Sequence, residues 1–527
     1  MVSRGAAIVL GVLLALITAS AAWAHATLVG SEPADRAMVP ESPPAVTLQF
    51  NEPVSPVSIV LVGPNGASST LKGVTAKDET LTVAMPGALA KGTHLLSWRV
   101  ISADGHPVSG TVMFSIKEAS AEPPMQPQFE MDRGLLAGIW LCKLALYCAL
   151  MFGIGGAFYA AFIATGPLPA RCTVWLSVLL LGGLVATVLS VGFQGVDLAN
   201  LPPLEMRRPD VWIGGLRTSY GTTAVIAAAA LILGLLALRG GSQRKLAAAL
   251  AIAGVGVALA SSGHAASAAP QFLTRPAVFL HGMSVAFWLG ALIPLLASLH
   301  LRRERDLLRF SRVIPAGIAV LVATGVVLSV VQLETLDALW TTRYGMVWDA
   351  KIAAVLVLLG LGACNRYALT PRIVHGEPAA AGRMSASIRI ELVLALAILA
   401  VVAAWRFTQP PRAIHAAASA PTQVHIHTAK AMADVRLEPA AGGLHTATLA
   451  IWNGDFAPLA AKEVALVLAK PDAGIEPLRF PAVHVAESTW RVDGVNIPIK
   501  GRWRVRVEIL IDDFDKVSID EDVEFPR

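Results

Sequence analysis

Hydrophobic positions alternate with polar ones near both ends of the chain and run almost unbroken through its middle. Between residues 25 and 118, the stretches AVTLQF, VSIVLV, ETLTVAM, THLLSWRVI and VSGTVMFSI alternate or are rich in β-formers, and turn residues such as Gly63-Pro64-Asn65-Gly66 separate them. Short strands at this spacing predict a β-sandwich. From 134 to 407 the pattern changes to eight apolar runs: 135–164, 173–196, 219–239, 245–266, 276–299, 310–332, 346–369 and 386–407. Each is long enough to cross a bilayer as a helix. From 415 to 527 the short alternating stretches return, among them HTATLAIW, EVALVLA and WRVRVEILI. The expected fold is a multi-domain membrane protein with an N-terminal β-sandwich, an eight-helix transmembrane bundle and a small C-terminal β-sandwich. A Pro- and Glu-rich linker occupies 119–133.

Composition sharpens this picture. Hydrophobic residues make up 55% of the 527 and charged residues 15%. That balance excludes a disordered chain and argues against an ordinary soluble enzyme. The net charge of +5 is small. Its arginines sit mostly in short loops between apolar runs, where they report topology and not nucleic-acid binding. Cys142, Cys148, Cys172 and Cys364 all fall in or beside the apolar runs, so the outer parts carry no disulfide framework.

Residues 1–24 read as a signal peptide: Arg4, the apolar stretch AIVLGVLLALITA, then Ala22-Trp23-Ala24 as an A-x-A cleavage site. The rival is an uncleaved anchor helix. Cleavage makes His25 the new N-terminus and starts the mature chain outside the cytoplasm. Counting spans from there, the inside loops hold twelve Lys and Arg residues and the outside loops five, which agrees with the positive-inside rule. Eight spans return the C-terminal region to the outside.

The sharpest chemical constellation is His25 with Asp104-Gly105-His106. In a strand, positions i and i+2 face one side, so Asp104 and His106 can address one ion. The α-amine and imidazole of His25 would complete an N3O set. That set in a flat arrangement suits Cu(II), and Zn(II) is open on ligand type. The bland alternative is a polar turn. His94, in the preceding strand, reads as structural. In the membrane region the ionisable candidates are Lys143, His264, His281, Asp349, Lys351 and Glu391. His264 and His281 read as lying near the outer face, one at the end of span four and the other about one turn into span five. Glu391 reads as snorkelling or pairing with Arg389. Met283, Cys142 and Met346 are soft donors for a copper path, against a packing or lipid-facing role. His425-Ile426-His427 would set two imidazoles on one strand face, as a second outer site or as a chance polar strand end. The acidic residues from Asp512 to Asp522 read as a solvated edge.

These residues also carry resemblances. HATLVGSEPADRA (25–37), LQFNEPV (48–54) and SWRVISADGHPVSG (97–110) are similar to the CopC copper-binding domain. The resemblance implies a β-sandwich with Cu(II) held by His25, Asp104 and His106. Some members add a Met-rich Cu(I) site; only Met38, Met85 and Met113 occur here, widely spaced, so none is expected. SSGHAAS (261–267), HGMSVAFWLGAL (281–292) and TRYGMVWDAKIAAVLVLLGLGACNRY (342–367) resemble the CopD copper-resistance membrane family. PLAAKEVALVLAKP, GIEPLRF and ILIDDFD resemble a YtkA-like extracytoplasmic domain. The joined arrangement resembles YcnJ-type copper-uptake proteins. It implies a bacterial inner-membrane protein with both soluble domains outside, contributing to copper homeostasis or resistance. The partners implied are the copper ion, the lipid bilayer and a periplasmic copper donor or reductase, with no nucleic acid.

Copper import through the bundle is the leading expectation. No P-loop, phosphorylation motif or other nucleotide site is apparent, which argues against a P-type pump. The alternative is a membrane-anchored module that buffers or delivers copper without transport. A copper-brace oxidase at His25 is disfavoured because Asp104 occupies a position that oxygen chemistry needs, and no enzyme is expected. Haem held between His264 and His281 is a further alternative, open to an absorbance spectrum.

Overall fold

The computed structural model describes residues 28–51, 53–102, 107–120, 133–263, 270–333, 335–405, 422–428, 430–440, 443–499 and 501–525, with Ala26, Ala266, Ala268, Thr408 and Pro411 between them.

Nine strands precede the first helix: β1 Leu28–Glu32, β2 Ala37–Val39, β3 Ala45–Phe50, β4 Ser55–Val62, β5 Ser68–Thr70, β6 Val74–Lys77, β7 Thr80–Ala84, β8 Gly92–Ile101 and β9 Pro107–Ile116. All five stretches read as strands in the sequence are strands. They form two sheets, ordered β1-β3-β7-β6 and β2-β9-β8-β4-β5. Alternation in β3 explains its packing: Val46, Leu48 and Phe50 are buried while Gln49 is exposed. Trp98 of β8 meets Phe50 edge-to-face at 5.1 Å, joining the two sheets through aromatic contact. Opposite Trp98 stands Gly110. A Cβ there would lie 2.3 Å from the indole, so only glycine lets the ring lie across β9.

Eight helices among the described residues are long and apolar enough to cross a membrane: α1 Arg133–Phe162, α2 Ala170–Ala199, α3 Ser219–Arg239, α4 Arg244–Ser261, α5 Gln271–His300, α6 Glu304–Leu333, α7 Arg343–Val374 and α8 Pro378–Ala404. Pro276 reads from sequence as the start of α5, yet the helix begins at Gln271. Gln271 and Thr274 are buried, and Thr274 Oγ1 donates to the Ala268 carbonyl at 2.7 Å, which holds the extra turn. Two helices carry π-turns, Ala149–Ile154 in α1 and Asn365–Leu369 in α7. Small residues bring α1 and α5 into backbone contact. A Cβ on Gly155 would lie 1.9 Å from the Ala286 carbonyl oxygen, and one on Gly290 would lie 2.3 Å from the Gly155 backbone. Asp306 near the start of α6 is fully buried. It accepts from Thr165 N at 2.8 Å, Thr165 Oγ1 at 2.6 Å and Ser298 Oγ at 2.9 Å, so every hydrogen bond in this cluster ends on one carboxylate.

The last nine strands are β10 Thr422–His427, β11 Ala431–Pro439, β12 Leu444–Asn453, β13 Glu463–Lys470, β14 Ile475–Pro481, β15 Val483–Ala486, β16 Thr489–Asn496, β17 Gly501–Leu510 and β18 Lys516–Phe525. Their two sheets run β10-β11-β12-β16-β15 and β14-β13-β17-β18 around a core that includes fully buried Trp503. The acidic tail is more than a solvated edge. Cross-strand register sets Arg504 opposite Asp522 and Arg506 opposite Asp520, and Arg502 also pairs with Asp522 at 3.3 Å.

Candidate metal centres

His25, Asp104 and His106 lie outside the described residues, so the strand argument for Asp104 and His106 rests on sequence. Their described neighbours are packed together. Ala26 is buried in the same core as Val100, with Val108 packed against it. Strand β8 ends at Ile101, which pairs with Pro107 at the start of β9. Each candidate is therefore one to four residues from a side chain anchored in one sandwich core. His94 is buried, stacks on Phe114 at 5.6 Å and uses Nε2 on the Ala90 carbonyl at 2.8 Å, so its surroundings are those of a core histidine.

In the bundle His264 is outside the described residues and His281 is well placed. His281 stands ten residues into α5, roughly 15 Å along its axis. It is deeper than the single turn the sequence suggests, because α5 begins earlier than Pro276. Its Nδ1 lies 3.1 Å from Thr324 Oγ1 of α6. That hydroxyl donates to the Val320 carbonyl at 2.7 Å, so it accepts from the imidazole. This arrangement favours the tautomer with the proton on Nδ1, in which Nε2 carries the lone pair a metal needs. Gly325 of α6 lies beside the ring: a Cβ there would be in ordinary contact, 3.5 Å from His281 Cε1. Lys351 of α7 is within electrostatic reach of the imidazole, and its ammonium sits 5.0 Å from the Trp405 ring centre.

The other soft donors do not join His281 in a compact set. Cys142 is buried on α1, Met283 packs against the bundle core, and Met346 is 56% exposed on α7. Asp349 is exposed. Among the described residues no three His, Cys, Asp or Glu side chains are grouped to hold an ion.

Glu391 departs from expectation. It neither snorkels nor pairs with Arg389: it is 2% exposed, and Asn365 Nδ2 of α7 donates to its Oε1. Both residues line a cavity of about 540 Å3 among α5, α6, α7 and α8. Thr324, Asn365 and Ser311 escape sequence reasoning because single polar residues in apolar helices are common, and Arg366 counted there only as one of the twelve inside-loop basic residues. Only Asn365 and Arg366 carried a signal, lying inside the CNRY end of a quoted stretch.

In the C-terminal sandwich, β10 turns Val424 and Ile426 into the core, which leaves His425 on the other face. His425 is nonetheless buried, with Nδ1 on Asp434 Oδ1 at 2.5 Å. His427 pairs in register with Met432, and its side chain is outside the described residues.

A β-sandwich followed in the chain by eight long apolar helices describes a multi-pass membrane protein. Comparison with known proteins supplies the family. Residues 28–117 match the CopC domain, 131–270 the copper resistance protein D-like N-terminal domain, and 304–405 copper resistance protein D. Helix α5, which carries His281, lies between the last two. The copper transport protein CutJ of Bacillus subtilis is 24% identical over 94% of this chain and 95% of its own length. Copper resistance protein C of Xanthomonas campestris pv. juglandis is 32% identical over 22% of this chain and 97% of its own. Copper resistance protein D of Pseudomonas syringae pv. tomato is 28% identical over 51% of this chain and 95% of its own. The chain belongs to the CopC–CopD family of copper resistance and transport proteins, with both parts in one polypeptide.

Proposed function

We propose that the protein captures copper outside the bacterial cytoplasmic membrane and passes it inward through the bundle. The N-terminal sandwich binds Cu(II) at His25, Asp104 and His106, and the bundle receives the ion at His264 and His281. The bundle's part rests on one observation: His281 engages Thr324 through Nδ1, on the α5 face that two turns later lines the cavity. The full-length similarity to a copper transport protein supports the same direction of thought. Outward placement of both soluble domains rests on the signal peptide and the loop arginines. A periplasmic donor or reductase would supply the ion in the state the bundle accepts.

The bundle's part follows from its residues. Thr324 orients the imidazole, and Lys351 places a positive charge beside it. A cation held by His281 is therefore bound against repulsion, which favours onward release over storage.

A second reading is a membrane-anchored module that binds copper without moving it. The absence of a three-residue donor group among the described residues favours it. Copper accumulation in cells separates the two. Cells expressing the intact chain are expected to gain intracellular copper, and a His264→Ala/His281→Ala variant of matched abundance is not. Equal accumulation in both, with Cu(II) still bound at the outer domain, leaves the anchored module as the better account.

A further inference from the structure

Helices α6 and α7 are neighbours that stay apart over most of their length and pack together mainly at Thr370–Val374. Two side-chain hydrogen bonds bridge the gap. Trp348 Nε1 donates to Ser329 Oγ at 3.0 Å, and Arg366 Nη1 donates to Ser311 Oγ at 2.7 Å. From 311 to 329 on α6, and from 348 to 366 on α7, the bonds are roughly 27 Å apart along the helix axes. A bilayer's hydrocarbon core is about 30 Å thick. The two bonds therefore frame a window as tall as the apolar part of the membrane.

The cavity of about 540 Å3 occupies the half of this window nearest the Arg366–Ser311 bond. Its back wall is buried and apolar, formed by Trp288 and Leu292 of α5 and Ile388 of α8. Its sides are open: Ala319 and Val322 of α6 and Ala363 and Tyr367 of α7 line it and are exposed. From Ser311 to Val322 the lining runs roughly 16 Å along α6, close to the depth of one leaflet's hydrocarbon, about 15 Å. At its polar end the cavity meets a smaller one of about 390 Å3, which shares Ser311, Arg366, Tyr367 and Thr370 and reaches His375. Glu391 lines the larger cavity, where Asn365 engages it, and no carboxylate lines the smaller one. The mouth is thus cationic, and the guanidinium there is incompletely satisfied. Arg366 Nε is buried and donates to nothing among the described residues. Ser311 accepts from Nη1, which leaves its own O–H to donate outward.

We propose that this window is a phospholipid site: one lipid, from the leaflet that faces the basic loops, lays an acyl chain into the larger cavity and sets its phosphodiester at Arg366 and Ser311. Depth, polarity and charge each select that occupant. The apolar groove is one leaflet deep, so it suits a chain that enters sideways from the bilayer. The mouth lies at headgroup level and offers a guanidinium fork and a hydroxyl, the donors a phosphodiester recognises. A cationic pocket between helices on the side of the basic loops is a general form of lipid-headgroup site. The chain would cover the apolar wall that α6 and α7 leave open, and the headgroup would supply the acceptor that Arg366 lacks. The lipid then joins two helices that the protein itself joins only at the ends of the window. The site does not depend on copper moving through the bundle.

The test uses the full chain, purified in detergent and freed of lipid. It is titrated with phosphatidylglycerol, with the diacylglycerol of the same chains and with glycerol phosphate. Native mass spectrometry counts bound ligand, and thermal unfolding reads its effect. One phosphatidylglycerol per chain is expected to bind and to raise the melting temperature. Diacylglycerol, which lacks the phosphate, and glycerol phosphate, which lacks the chains, are each expected to bind about tenfold more weakly or worse. Arg366→Gln is expected to weaken phosphatidylglycerol binding about tenfold. Ala319→Trp, which fills the groove and leaves Arg366 in place, is expected to abolish it while the lipid-free chain melts as the parent does. Parental lipid affinity in both variants overturns the site. Glycerol phosphate bound as tightly as the lipid overturns it too, since the mouth would then be an anion site alone. A dimer of the lipid-free chain that Ala319→Trp dissociates also overturns it, by placing a second copy in the window.

Discussion

The two halves of the bundle are built differently. Across α1 to α5, 39–56% of each helix's most apolar window is buried within the protein, against 17% for α6 and 6% for α7. In the first half small residues press backbone against backbone, as at Gly155, Ala286 and Gly290. In the second half α6 and α7 stand around a cavity. Tight packing is bistable at best, whereas loosely packed helices shift at small cost. The polar groups follow this division. His281 projects from the tight half toward the loose half, and Asn365 and Arg366 belong to the loose half itself. The contrast separates a more tightly packed set, α1 to α5, from the more open α6 and α7.

The largest expected effect tests the scaffold. Gly155→Leu should prevent the bundle from folding, because even a single Cβ there collides with the Ala286 carbonyl. Gly360→Ala on α7 should be neutral or stabilise by up to about 1 kcal/mol, since the added methyl meets open space and alanine favours the helix. Thermal unfolding in detergent reads both. Equal losses would erase the distinction between the halves.

A smaller effect sharpens it where the halves meet. Thr324→Val keeps the shape and removes the acceptor for His281 Nδ1. Copper uptake should fall about tenfold, as when a metal ligand loses its orienting partner, while the melting temperature stays nearly unchanged. A normal uptake rate would mean that the imidazole needs no orientation from α6.

The smallest effect lies outside the bilayer and serves as a control on both halves. Burial pushes the Glu508 carboxyl up, but hydrogen bonds and charge from Lys516 and Arg479 outweigh it and hold the group below its ordinary 4.5. A carboxyl depressed in the folded state contributes stability that is complete above its unfolded value and is lost as pH falls through the lower folded one. Acidification below about 4.5 should therefore loosen the C-terminal sandwich, and Glu508→Gln should flatten that dependence. Tryptophan emission against pH, with buried Trp503 as reporter, would follow it. An unchanged acid profile in the variant would remove Glu508 as the cause.

Much of the architecture was legible in the chain. Strand β3 coincides with AVTLQF, and α3 with the apolar run 219–239, because period-two alternation and long apolar runs are local properties. Helix ends were less legible. The sequence places Pro276 at a helix start, but tertiary hydrogen bonding from Thr274 carries α5 back to Gln271. Of the candidate sites, the identity of His281 could be read from its place in an apolar run, and its tautomer could not, since that depends on a hydroxyl 43 residues away.

By itself the sequence determined the element types, the number of membrane-spanning helices, the charge bias of the loops and the resemblance to two copper families. Each of these follows from hydrophobic period, run length or short motifs within one stretch of chain. Only the tertiary structure decided that Glu391 is buried and meets Asn365, that His281 meets Thr324, and that Glu391 and Asn365 line one cavity. Those facts depend on which faces of α5 to α8 meet. Polar residues spaced far apart in the chain become one site only when helix packing excludes water and lipid around them.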